Sequence, residues 1–343
     1  MMPNRVCTLP STKSGCSVSK KCDDMFQSSL YAEVEPQTKK LRACGFQSTS
    51  GDQTTAEVVG DDVDLLDVLD APWPVRNQMF RGTCTGFCTA AAVELLEAQT
   101  TRQIREFSPE YMYHYLRDAA LILGPDEVPD LDIGAAKLTS APGVLKTNGI
   151  CLESTMPYDP DLPVPETRQP HPEAHAEAQN HLHEGACMGD FGSDFSDLPH
   201  DARIPEHIHA ELLARRPVTV GLPIFKTLRD GANNWDNSFT LSRGIVHSPD
   251  ERPHVVSMER VSGHAACIVG FQKAPAHRGG GWFIFRNSWG EDFCTNPGSG
   301  GSGYPRIPGK GYGAISADHL RRYTIEFASF RQLADAPSAD MMV

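Results

Sequence analysis

Four helical patterns precede three strand patterns in this chain, and that order limits the fold more than any other feature. From Gly86 to Gln99 the apolar positions Phe87, Cys88, Ala91, Ala92, Leu95 and Leu96 recur at the three-, four- and seven-residue spacing of an amphipathic helix. Glu94 and Glu97 then fall on its solvent face. The stretch "SPEYMYHYLRDAALIL" (108–123) predicts a second helix, with Ser108 as N-cap, Pro109 at the first helical position and acid in the first turn. A third is expected within "GAAKLTSAPGVLKTNG", broken at Pro142. Further on, "IPEHIHAELLARRPVTVGLPIF" reads as a helix followed by a strand over 218–224. "HAACIVGFQ" and "GWFIFRNSW" are short runs rich in β-branched and aromatic residues, bounded by glycines, as in a buried antiparallel sheet. Helices first and strands later predict an α+β fold rather than alternating α/β.

The flanks look different. Residues 1–63 are rich in Ser, Thr, Lys, Gln and Asp with little apolar periodicity, and are expected to form a disordered or loosely attached extension. The folded domain is expected over 64–330, with 331–343 as a tail. Asp64, Asp67 and Asp70 read as a solvated face of the entry segment. A formal charge of −13 argues against nucleic acid or an anionic membrane surface as a partner, since both need clustered Lys and Arg. No run reaches the ~18 apolar residues of a membrane span, and the first twenty residues lack the apolar region of a secretory signal. The ten cysteines are scattered, so most are expected to be free thiols in a cytoplasmic setting. The alternative setting is that of an effector exported by another route.

Cys84 and Cys88 pose the functional question, because they stand one helical turn apart where a loop enters the first helix. As a metal pair they lack a second pair at structural-zinc spacing, so no metal is expected there. His171, His175, His181 and His183 form no His-Glu-x-x-His arrangement and are expected in a solvated, mobile insertion. A thiol at a helix N-terminus, by contrast, gains from the partial positive charge that favours its anion. Cys84 has that position and Cys88 lies one turn deeper, on the apolar stripe. An imidazole can supply the second activating device and later protonate a leaving amine. His264, between a glycine and a strand, is the candidate, and Asn287 can hold its ring in one orientation.

Taken in order, "VRNQMFRGTCTGF", "SGHAACIVGF" and "FRNSWGED" resemble the papain-like cysteine peptidases. "SPEYMYHYL", "NGICLESTMPYD" and "ELLARRPVTVGLPIF" look like segments that bacterial-type members carry between the catalytic cysteine and histidine. The resemblance implies a two-lobed fold, with a helical left lobe carrying Cys84, an antiparallel sheet or barrel as the right lobe carrying His264 and Asn287, and the active site in the cleft. It implies hydrolysis of peptide bonds in a protein or peptide substrate, through a Cys84–His264–Asn287 triad and a thioester acyl-enzyme, with no cofactor. Gln78, six residues before Cys84, matches the family's oxyanion-hole glutamine, and Trp289 the indole that shields the Asn–His contact. Gly134, in "LDIGAAKL", falls where the family pairs a glycine backbone with extended substrate. Two other outcomes use the same residues: acyl transfer to an amine, or a catalytically idle module that holds a peptide.

The departures from that family are specific. Its secreted members carry a cysteine three before the nucleophile and an aromatic after it, where this chain has Arg81 and Thr85. The absent cysteine removes a disulfide, which agrees with a reducing compartment. His264 and Asn287 lie 180 and 203 residues after Cys84, beyond the roughly 130–150 of the family signature. Insertions near 160–205 and 226–258 account for the excess and are expected to border the cleft. Residues 1–63 lack the long helical pro-segment of secreted relatives, and the alternative to a disordered extension is a pro-segment-like one whose short acidic 51–70 stretch lies across the cleft.

Overall fold

The computed structural model describes residues 60–126, 128, 131–192, 203–229, 231–301 and 303–333. The expected disordered extension therefore lies outside the described residues except for its last four positions, and the tail except for its first three. In chain order the elements are β1 (Val63–Asp64), α1 (Cys84–Thr101), α2 (Pro109–Leu123), α3 (Ala141–Thr147), α4 (Pro172–Ala178), β2 (His183–Asp190), α5 (Ile204–Leu213) and β3 (Val218–Thr227). They continue with α6 (Ser238–Arg243), β4 (Ile245–Val246), β5 (Val256–Lys273), β6 (Gly281–Arg286), β7 (Ser299–Gly301), β8 (Tyr304–Arg306), β9 (Tyr312–Ser316), α7 (Ala317–Tyr323) and β10 (Glu326–Gln332).

One sheet organises the fold, in the order β2-β10-β3-β5-β6-β9-β4, with β1 added against β5. All its pairs are antiparallel except β4 with β9, as the alternating strand signals predict for the bulk of it. Strand β6 is buried throughout and β5 over His264–Phe271, because the sheet is covered where helix α1 lies against it. The apolar core runs without a break from Leu95 and Leu116 in the helices to Phe271 and Phe285 in the sheet. Strand pairing starts at Val63, opposite Phe271, and continues to Gln332, opposite His183, slightly past the boundaries of 64 and 330 read from the sequence.

Three local expectations fail for identifiable reasons. Helix α1 is not amphipathic: every residue from Thr85 to Leu95 is buried, including Glu94. Its small residues admit neighbours on all sides, and at Gly86 a Cβ would lie 2.7 Å from the Pro109 carbonyl of α2. Glu94 tolerates burial because Arg76 pairs with it, Trp73 Nε1 donates to it at 3.1 Å and the Phe107 N–H donates at 2.9 Å. Pro142 does not break the third helix but stands in its first turn, where its missing N–H costs nothing. The histidine-rich stretch is bonded into the fold, with His175 exposed and His183 buried. His171 N-caps α4, His175 Nδ1 meets Tyr115 Oη at 2.9 Å, and His181 Nδ1 meets Glu97 at 3.1 Å. His183 is fully buried on β2, 3.7 Å from Glu97.

Candidate active site

Helix α1 begins at Cys84 itself, with Thr83 at the N-cap. Thr83 makes no side-chain cap, so the first N–H groups of the helix stay directed at the thiol's surroundings. Burial pushes the Cys84 thiol up from its ordinary pKa, while the N–H groups of Ala265, Thr85 and Cys84 itself pull it down. Ala265 follows His264 on β5, so the sulfur sits beside the strand that carries the imidazole. Cys88 is buried, and its thiol donates to the Thr85 carbonyl at 3.4 Å. Among the described cysteines Cys84, Cys88, Cys151, Cys267 and Cys294 are free thiols, and Cys187 is disulfide-bonded.

His264 lies on β5 opposite Leu222 of β3, and Asn287 follows the last residue of β6. Since β5 and β6 are paired neighbours, the sheet brings the two side chains together across 23 residues of sequence. His264 Nε2 lies 2.8 Å from Asn287 Oδ1. The Ser288 N–H donates to the same oxygen at 2.8 Å, which fixes that end of the amide as the acceptor. Nε2 therefore carries the proton, and Nδ1 presents its lone pair. Aromatic rings enclose the pair: Trp289 stands 4.7 Å from the imidazole centroid and Trp235 4.8 Å, nearly edge-on.

Gln78 is held at three points. Its N–H donates to the Ser288 carbonyl at 2.8 Å, its Oε1 accepts from Ser288 Oγ at 2.5 Å, and its Nε2 donates to the Arg81 carbonyl at 2.8 Å. One amide hydrogen of Nε2 remains. Arg81, in place of the family's cysteine, is almost wholly buried. Its guanidinium makes a two-pronged pair with Glu110 of α2 and donates to the carbonyls of Asp159 at 2.6 Å and Glu166 at 3.0 Å. It also lies over the Tyr158 ring at 4.9 Å. Gly134 has φ +96°, its N–H donates to Leu131 at 3.3 Å and its carbonyl accepts from Tyr113 Oη at 2.9 Å. It faces Gly82, whose Cα would be 3.8 Å from a Cβ placed on it.

Cys84, His264, Asn287, Gln78 and Trp289 thus gather at the seam between α1 and the sheet, with Gly134 across from the loop before Cys84. Sequence reasoning missed Trp235, Ser288, Tyr158 and Glu110. Trp235 had a signal in hindsight, as a lone indole in the polar run "NNWDN". Tyr158 donates to the Gln78 carbonyl at 2.8 Å, and nothing local in its sequence announces that.

His264 has an acid-side consequence. Burial lowers its pKa to about 4, against the raising effect of Asn287. The folded value lies below the unfolded ~6.5, so its contribution is present above pH ~6.5 and is lost as pH falls toward 4. The loss amounts to about 3 kcal/mol. His114, His183 and His319 are shifted down by burial as well and add in the same direction. The urea midpoint should fall steeply between pH 6.5 and 4; a flat midpoint over that window would contradict the buried neutral imidazoles.

No family model and no curated protein sequence matches the chain. Solved structures do. Xylellain, a cysteine protease from Xylella fastidiosa, aligns over 83% of this chain and 91% of its own, with a TM-score of 0.54 at 19% identity. A structure from work on the mite allergens Blo t 1 and Der p 1 aligns over 85% of this chain and 74% of its own, with a TM-score of 0.50 at 16% identity. The chain has the papain-like fold that its motifs led us to expect. Among the described residues no helix is long and apolar enough to cross a membrane.

Proposed function

We propose that this chain is a cysteine peptidase that cleaves peptide bonds through a thioester on Cys84. The observation that carries the reading is the fixed tautomer of His264. Asn287 Oδ1, pinned by the Ser288 N–H, accepts a hydrogen bond from Nε2–H and leaves the Nδ1 lone pair for the thiol. The proton accordingly passes from Cys84 to His264 Nδ1 as the sulfur attacks the substrate carbonyl, and the imidazolium then protonates the leaving amine as the C–N bond breaks. The Cys84 N–H and the remaining amide hydrogen of Gln78 stabilise the oxyanion. Water, deprotonated by His264, hydrolyses the thioester. Gly134 borders the acyl half of the substrate, with one lone pair of its carbonyl still open to a substrate N–H.

The test compares new N-termini in a lysate treated with the wild type and with Cys84→Ala. Cleavages confined to the wild type are expected, and their flanking residues give the specificity. Identical peptide maps from the two proteins would remove the peptidase reading.

A further inference from the structure

The loop between Gln78 and Cys84 carries an apolar tip that none of the described residues covers. Phe80 is 93% exposed and Met79 49% exposed, the former the most exposed of the large apolar side chains described. A lone exposed apolar residue needs no explanation. This one stands on a loop whose main chain is fixed at both ends. Asn77 bridges to Trp289, the Gly290 N–H donates to Arg76 and the Met79 N–H donates to Asn77 Oδ1 at 2.8 Å. Arg81 anchors the other side through its pair with Glu110. Met79 even holds φ +53° to keep this course.

Resting on the peptidase reading above, we infer that Phe80, with Met79 beside it, is the contact surface for an apolar side chain in the leaving-group half of the substrate. The direction follows from what lies at each end of the loop. Gly82 faces Gly134, where the resemblance puts the acyl half. Asn77 and Gln78 adjoin Ser288 and Trp289, and Trp289 packs on His264. The leaving amine takes its proton from His264, so the peptide beyond the scissile bond runs past the Trp289 end, and Phe80 stands two residues beyond Gln78, whose N–H is held by Ser288 beside Trp289. A rigid aromatic with few torsions loses little entropy when a side chain covers it. The preferred substrate therefore carries Leu, Met or an aromatic residue within two positions after the scissile bond.

The test uses the full chain and peptides that share one acyl half but differ after the scissile bond, Leu or Phe against Gly or Asp. A methyl ester of the same acyl half has no peptide on the leaving side and serves as reference. For the wild type, kcat/KM should favour the apolar leaving halves about tenfold. Referred to ester turnover by the same variant, that ratio should fall to about one in Phe80→Ala and be retained in Phe80→Leu. A wild type without the preference, or a Phe80→Ala that keeps it, overturns the inference while ester cleavage leaves the peptidase reading standing. If the ester is not cleaved and a chloromethyl ketone does not alkylate Cys84, the peptidase reading itself fails and the inference with it.

Discussion

Cys84→Ser should lower turnover by about 10⁴-fold or more, with the unfolding midpoint barely moved, whereas Cys88→Ser should do the reverse. The two thiols are one helical turn apart, and their surroundings decide the difference. Cys84 is half-buried at the first position of α1, met by N–H groups of its own helix and of Ala265. Serine there keeps the hydrogen bonds but has a far higher pKa and is a poor nucleophile without a stronger base. Cys88 is buried among Phe87, Ala91 and Ala265, and burial raises its thiol well above the usual range. A hydroxyl buried there should cost about 1–3 kcal/mol while leaving Cys84, His264 and Asn287 in place. Steady-state kinetics and urea unfolding on both variants check the split. Comparable loss of turnover in both would mean that the thiols act as a pair.

The second large effect is expected at Arg81. Arg81→Ala leaves Glu110, fully buried, without its counter-charge, and Glu110→Ala does the same to Arg81. Breaking one side of such a pair costs about 3–5 kcal/mol. Replacing both by apolar residues, as in Arg81→Met with Glu110→Leu, should cost clearly less than the sum of the two single changes. Additive losses in that cycle would show that the pair carries no coupling. Activity should fall in the double variant even where stability recovers. The guanidinium holds the main chain of Asp159 and Glu166 against the loop, and the Arg81 carbonyl orients the Gln78 amide. In the secreted members that the chain resembles, a disulfide occupies this position. Here a buried ion pair ties the loop to α2 and to the 157–168 segment.

How far the sequence reached depends on the range of the interaction. Ser108 is the N-cap it promised, with its oxygen 3.0 Å from the Tyr111 N–H, because capping involves only four consecutive residues. The strands of 218–286 were legible for a similar reason, since alternation and β-branching are written within each run. The solvent face assigned to Glu94 failed, because its partners Arg76, Trp73 and Phe107 are 18, 21 and 13 residues away. The histidine-rich stretch failed likewise: a polar composition signals solvent only until other segments supply Glu97, Tyr115 and Thr155 as partners.

The sequence by itself determined the α+β order of elements, the choice of candidate site residues and the placement of Cys84 at a helix start, since each is encoded by local spacing and local backbone chemistry. Only the tertiary structure decided which nitrogen of His264 faces Asn287, that Trp235 joins Trp289 around it, and that Arg81 anchors the nucleophile loop while Phe80 stays bare. Those features depend on register across the sheet and on pairs as distant as Ser288 with Gln78, 210 residues apart. Such contacts form only when the packed core brings the segments together.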